Sequence, residues 1–141
     1  MLNFISTPIG NLNDISQRAI DAIRNCDYLY AEDTRITKNL LNSYQIKKEC
    51  KSFHEHNEKK LTSSIVKHLL NNKDISIVSD AGTPGISDPG YNLIRECVEK
   101  NIKYTLIPGP SSVINGLIMS GLPTDKFCFF GFFPRKHNKI K

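Results

Sequence analysis

No apolar run in this chain approaches the roughly 20 residues that a membrane-spanning helix needs. The opening "MLNFISTPIG" has no basic stretch and no signal-type apolar core, so a cytoplasmic location is expected. The four cysteines, Cys26, Cys50, Cys97 and Cys128, stand far apart. None forms a CxxC pair and none joins a histidine at zinc-ligand spacing, which leaves reduced core or surface thiols and no metal site. GxxxxGK[ST] is absent, so a P-loop is excluded, and no GxGxxG follows the first apolar stretch, which weakens a dinucleotide reading. There is no internal repeat and no low-complexity segment.

What is present suits one folded domain. Of 141 residues, 39% are hydrophobic and 23% charged, a balance that can bury a core. Basic residues exceed acidic ones by a net +5, compatible with a polyanionic partner without demanding one. Short apolar strands are expected at "NFIS" (3–6), "YLYA" (28–31), "CKSF" (50–53), "ISIV" (75–78), "YTLI" (104–107) and "FCFF" (127–130). Between them lie helical patterns. Asp14 reads as an N-cap with Gln17 three residues on, and Ile15, Ala19 and Ile23 share one face. Further helices are expected over 37–44, over 58–71 from Leu61, Ile65 and Leu69, over 91–100, and from Ser111 to about Met119. Strand and helix in alternation predict an α/β fold with a mostly parallel sheet and helices on both faces.

Proline and glycine are concentrated where strands end. Three strands run straight into "TPIGN", "SDAGTPGISDPG" and "IPGPSS". In a parallel sheet the strands' carboxyl ends share one edge, and ligands bind in the crevice there. The three loops are therefore expected to converge. "GPSS" opens a helix whose free N–H groups and hydroxyls suit a carboxylate or phosphate. Asp80 is an acceptor suited to an ammonium or a ribose hydroxyl. Taken singly, each loop is equally an ordinary turn, with Asp80 as its Asx-turn or cap.

The segments "TPIGNLNDIS", "AEDTR", "HEHNE", "VSDAGTPGISDPGY", "IPGPSS" and "SGLPTDKFCFFGFFPRK" stand in that order. Together they resemble the ribosomal small-subunit RNA 2′-O-methyltransferase I family, within the tetrapyrrole-methylase (class III) superfamily. The resemblance implies methyl transfer from S-adenosyl-L-methionine to the ribose 2′-hydroxyl of a cytidine in the decoding region of small-subunit (16S) rRNA, by a homodimer. It implies that residues 1–134 are the amino-terminal methylase domain and 135–141 the start of a basic linker to a second α/β domain, with the cofactor in the cleft between the two. On that reading the chain is the amino-terminal half and transfers methyl groups poorly alone.

Matched to the family's motifs, the cofactor-binding set is Pro8, Asp80, Ala81, Gly82, Thr83, Pro84, Ile86, Ser111 and Ser112. A 2′-hydroxyl is a weak nucleophile at neutral pH, so a base or strong acceptor is expected beside it. The candidates are Glu32 and Asp33 in "AEDTR" and His54 and His56 in "HEHNE", with Arg35 placed to bind a phosphate. Asp33 with Arg35 reads equally as a structural ion pair, and the two histidines as a solvated pair. Phe127, Phe129, Phe130, Phe132 and Phe133 read either as RNA-stacking aromatics or, better, as a buried last strand with an interdomain or subunit contact. Two other functions stay open: a class III methyltransferase acting on a tetrapyrrole or protein, which "AEDTR" and "HEHNE" argue against, and a non-catalytic RNA-binding or dimerisation fragment.

Overall fold

Five short strands form one fully parallel sheet in a computed structural model that describes residues 1–132. They are β1 (Leu2–Ile5), β2 (Tyr28–Ala31), β3 (Cys50–Ser52), β4 (Ile75–Val78) and β5 (Tyr104–Ile107), in the spatial order β3-β2-β4-β1-β5. Parallel neighbours need crossover helices, and these alternate with the strands. They are α1 (Gln17–Asn25), α2 (Thr34–Ser43), α3 (Glu55–Leu70), α4 (Tyr91–Glu99) and α5 (Ser112–Met119). The α/β class and parallel sheet are as the sequence predicts.

Each central strand is buried on both faces, and the period of two divides its side chains between two cores. Ile5, Leu29, Ala31, Val78 and Ile107 pack under α1 and α2 against Ile20, Ile23, Leu40 and Leu41. Leu2, Phe4, Tyr30, Ile75 and Ile77 pack on the opposite face against Ile65, Val66 and Leu69 of α3 and Leu93 and Cys97 of α4. Helices on both faces follow directly. Burying each such Leu, Ile or Phe contributes roughly 1.5–3 kcal/mol.

Helix starts depart from the sequence reading. Ser16, not Asp14, caps α1 by accepting from the Ala19 N–H, while Asp14 lies in a 3-10 turn capped by Asn11. The helix expected from 37 begins at Thr34 with Asp33 as its cap, and the one expected from 58 begins at Glu55. Neither first turn buries an apolar side chain, Ile36 being exposed, so both lack the apolar period that marks a helix. The expected strand "FCFF" is absent: residues 127–130 have no ladder partner, and Phe127, Phe129 and Phe130 are exposed, the last by 95%. Phe132 is exposed too, while Phe133 and the expected linker 135–141 lie outside the described residues.

The turn into α4 is fixed by one close approach. Gly90 has φ 140°, and a Cβ there would lie 2.9 Å from Cε1 of the buried Phe4 ring. Gly90→Ala combines a disfavoured backbone with overpacking, and is expected to cost about 3 kcal/mol in urea unfolding. A loss under 1 kcal/mol would show that Phe4 repacks freely.

Candidate functional site

The loops after β1, β4 and β5 meet at the carboxyl edge of the sheet. The Thr7 N–H donates to Gly82 O (2.9 Å) and the Gly82 N–H donates to Thr7 O (3.0 Å), an isolated two-way bridge. Gly82 adopts φ 79°, the left-handed region that glycine favours. Beside it, the Ser6 and Thr83 hydroxyls are 3.0 Å apart, and Thr83 Oγ1 also donates to Pro110 O (3.3 Å). The expected convergence is thus a hydrogen-bonded knot rather than mere proximity.

Against this knot lies a cavity of about 120 Å³. Ala81, Gly82, Thr83, Ile86, Ser111 and Ser112 all line it, with Asp88, Val113, Phe129 and Phe132 completing the wall. The Ser111 side chain makes no capping bond, which leaves its hydroxyl and the first N–H groups of α5 available. Small-ligand pockets run to about 300–1,000 Å³. At about 120 Å³ this cavity is smaller than that range. Pro84 is buried within the loop and lines neither this cavity nor its neighbour. Pro8 and Asp80 face a second cleft of about 190 Å³, shared with Leu12, Ile36, Thr37 and Leu40. The predicted cofactor set is therefore divided between two adjoining hollows. A larger opening of about 410 Å³ lies between α1 and the edge strand β5, near Met1 and Asp74, and contains none of the predicted residues.

Acidic groups gather between the clefts. Asp80 Oδ1 accepts from the Asp33 N–H (2.9 Å), and the Asp80 N–H donates to Glu32 Oε2 (3.4 Å). Burial, reinforced by the Asp80 charge, holds the Glu32 carboxyl above its ordinary value. Burial likewise raises Asp88, against a stabilising hydrogen bond from Ser79. Asp33 is spoken for. Its carboxylate accepts the Arg35 N–H (2.8 Å) and takes the guanidinium at 3.0 Å from Nε and 2.5 Å from Nη2. These hydrogen bonds pull it down to about 2, from 3.8. Arg35 itself remains 87% exposed.

"HEHNE" is not a strand with two histidines on one side. His54 precedes α3, its backbone N–H donating to Asn57 Oδ1 (2.8 Å), and His56 lies in the first turn. Their rings are 5.8 Å apart and tilted. His54 Nδ1 is buried with no hydrogen-bond partner among the described residues. The motif's last member is the one sequence reasoning missed. Glu58 is buried, and its Oε1 accepts the N–H groups of Gly90 (3.0 Å) and Asn92 (3.1 Å). Gly90 has no side chain with which to cap α4, so α3 supplies the carboxylate across the fold. A signal was available: Glu58 continues the buried face of Thr62, Ile65 and Leu69 backwards along α3, where a solvent-facing charge would not lie.

A family profile described as Tetrapyrrole (Corrin/Porphyrin) Methylases matches residues 1–138. The chain belongs to this family. Among curated proteins, it is 49% identical over 138 residues to "Ribosomal RNA small subunit methyltransferase I" of Thermotoga maritima, covering 98% of this chain and 62% of that one. It is 46% identical to the protein of the same name from Vibrio cholerae, covering 100% of this chain and 49% of the relative. The chain thus spans about half to three-fifths of the length of these relatives. Among solved structures, diphthine synthase superposes with TM-score 0.65 at 18% identity, over 82% of this chain and 47% of that one. Uroporphyrin-III-C-methyltransferase from Thermus thermophilus gives 0.64 at 15%, over 86% and 52%. Both show that the tetrapyrrole-methylase fold is shared.

The clamp and the ion pair give separate tests. Glu58→Ala leaves two buried N–H groups unsatisfied and is expected to cost about 2 kcal/mol, with faster amide exchange at Gly90 and Asn92. Glu58→Gln keeps an acceptor oxygen and is expected to lose less than half as much. Equal losses for both would mean that charge, not hydrogen bonding, holds the turn. For Asp33, the depressed value means its stabilisation is present above 3.8 and disappears as pH falls through about 2. Asn at position 33 still caps α2 but cannot pair with Arg35. Asp33→Asn is therefore expected to flatten the acid limb of a melting-temperature titration in that window. An unchanged limb would remove the ion pair from the stability account.

Proposed function

We propose that this chain carries the cofactor-side wall of an S-adenosyl-L-methionine-dependent methyltransferase that modifies the ribose 2′-hydroxyl of a cytidine in the decoding region of small-subunit (16S) rRNA. The observation that carries the reading is the knot of three loops at the carboxyl edge, within a chain that belongs to the tetrapyrrole methylases. The substrate class rests on the relatives at 46–49% identity, both named as small-subunit rRNA methyltransferases. Diphthine synthase and the uroporphyrin enzyme share the fold at 15–18% identity, which does not extend their substrates to this chain.

The residues fit the cofactor chemically. When bound, S-adenosyl-L-methionine supplies an electrophilic methyl group on a cationic sulfonium. Asp80, Asp88 and Glu32 provide negative charge near a cation. Ile86, Val113 and Phe129 offer apolar surface to a base, and Thr83, Ser111 and Ser112 offer hydroxyls and N–H groups to polar groups. Ala81 and Gly82 let the backbone approach closely, while Pro8 and Pro84 stiffen the flanking turns. Because the loops are bonded to one another, they hold a ligand in one orientation, and orientation supplies much of the rate of an in-line displacement. Glu32, half-buried and raised above its ordinary value, is the best-placed group to accept the hydroxyl proton. Asp33 is committed to Arg35, whose exposed guanidinium keeps its outer N–H groups to meet a phosphate. His54 and His56 border the same edge as secondary candidates. We further infer that the working form is a cytoplasmic homodimer. The exposed Ile114, Ile118, Met119 and Leu122 support an apolar contact of that kind. No described helix is long and apolar enough to cross a membrane.

The test uses the complete protein, small ribosomal subunits and S-adenosyl-L-methionine labelled in its methyl group. Label is expected in 2′-O-methylcytidine after nuclease digestion; label in a base, or none, would overturn the reading. Asp80→Asn retains the oxygen that receives the Asp33 N–H while removing the charge. It is expected to keep the melting temperature and weaken cofactor binding about tenfold by calorimetry. Unchanged affinity would remove Asp80 from the cofactor set.

A further inference from the structure

One edge of the sheet carries a basic stretch. Between residues 34 and 54 stand Arg35, Lys38, Lys47, Lys48 and Lys51 against the single acid Glu49, a net of +4. These residues surround β3, which among the described residues pairs only with β2 and so presents a free edge. Lys51 lies on that strand, exposed, with its ammonium 4.7 Å above the Tyr28 ring. Lys48 Nζ donates to Cys26 O (2.6 Å), which fixes it beside the strand's start. Lys38 projects from α2, which packs against β3, and stands close enough to Cys50 to oppose the rise of that thiol on burial. Among the described residues, Lys38, Lys47, Lys48 and Lys51 form no salt bridge, whereas Lys73, Arg95 and Lys100 are each paired with a carboxylate.

Direction makes this edge useful. β3 is parallel to the other strands, so its chain runs toward the carboxyl edge where the loops converge. The Phe53 N–H extends the ladder to Ala31 O (2.7 Å), one residue before Glu32, and His54 follows. Lys48 precedes β3 and Lys51 lies on it, and they flank the edge from its two faces, Lys48 on the Cys26 side and Lys51 on the Tyr28 side. Arg35 and Lys38, three apart on α2, continue the charge on one helix face toward the same place.

We propose that the free edge of β3, with Lys38, Lys48 and Lys51, is a docking track for the sugar-phosphate backbone of the RNA substrate, leading it to the carboxyl-edge site. This rests on the rRNA reading above and names the surface that the substrate uses. Phosphate contacts set register and orientation, and counterion release makes them salt-dependent. The track leaves nucleotide identity to other groups.

The experiment measures binding of small ribosomal subunits to the complete protein across a salt series. It compares wild type, a Lys38→Gln/Lys48→Gln/Lys51→Gln triple variant, the matching triple to arginine, and a control with Lys67→Gln and Lys103→Gln. Three lost phosphate contacts are expected to make the slope of log affinity against log salt shallower by about 2, and binding at 0.1 M salt about a hundredfold weaker. Arginines restore both and the control matches wild type. S-adenosyl-L-methionine affinity stays unchanged in the triple variant and it still melts in one cooperative transition, which shows that it folds. Lysines on an edge strand also keep that edge from pairing with another chain. Self-association of the glutamine triple with an unchanged salt slope would overturn the proposal in favour of that role. So would loss of binding to anionic lipid vesicles with subunit binding intact. Failure of wild type to bind subunits at all would instead overturn the rRNA reading, and the track with it.

Discussion

The two backbone hydrogen bonds between Thr7 and Gly82 are the constraint on which the site depends. A parallel ladder aligns strands but leaves the loops beyond it independent. Here β1 and β4 are neighbours, and a separate antiparallel bridge joins their loops beyond the ladder's end. Once those loops are joined, Thr83 is placed to reach Ser6 on one side and Pro110 on the other. The third loop is then held as well. Gly82 permits the bridge because its backbone occupies a region that other residues avoid. The cradle is thus rigid for reasons internal to the chain, which is what a positioning site requires.

The far side of the same loop is held by a different kind of contact. Glu58 reaches from α3 to the start of α4 and fixes the end of the segment that begins at Asp80. This places "HEHNE" in a new light. The motif looks like a catalytic cluster because it gathers histidines and acids. In the fold, Asn57 closes the helix start and Glu58 anchors the end of the loop that follows β4, while His56 is exposed. A segment can therefore mark a branch of a family through what it supports as well as through what it touches.

The strands, the parallel sheet and the meeting of three loops were legible because they follow from local patterns. β-branched runs, period-four apolar faces and Pro/Gly clusters each report on residues close in sequence. What escaped was decided by partners far away or by polar turns. The first turns of α2 and α3 carry caps rather than apolar faces, so their starts were read three residues late. Residues 127–130 alternate like a strand but have no ladder to join. The role of Glu58 depends on Gly90, 32 positions on, and no local pattern joins the two. The division of the cofactor set also escaped, because Asp80 and Thr83 are close in sequence yet turn into different hollows.

The strand order has a consequence for how the chain is made. β1 is made long before either of its neighbours, since β4 begins at Ile75 and β5 at Tyr104. At typical synthesis rates, β1 waits on the order of 4–15 s for its first partner. Through that interval Leu2, Phe4 and Ile5, all buried in the finished protein, have no sheet to join. β2, α2 and β3 can meet sooner, since they are adjacent in sequence and in space. Assembly would then grow from the basic edge inward, with β4 completing the sheet's centre and capturing β1. The nascent chain, more than the folded protein, is where this architecture is exposed to aggregation and to chaperones.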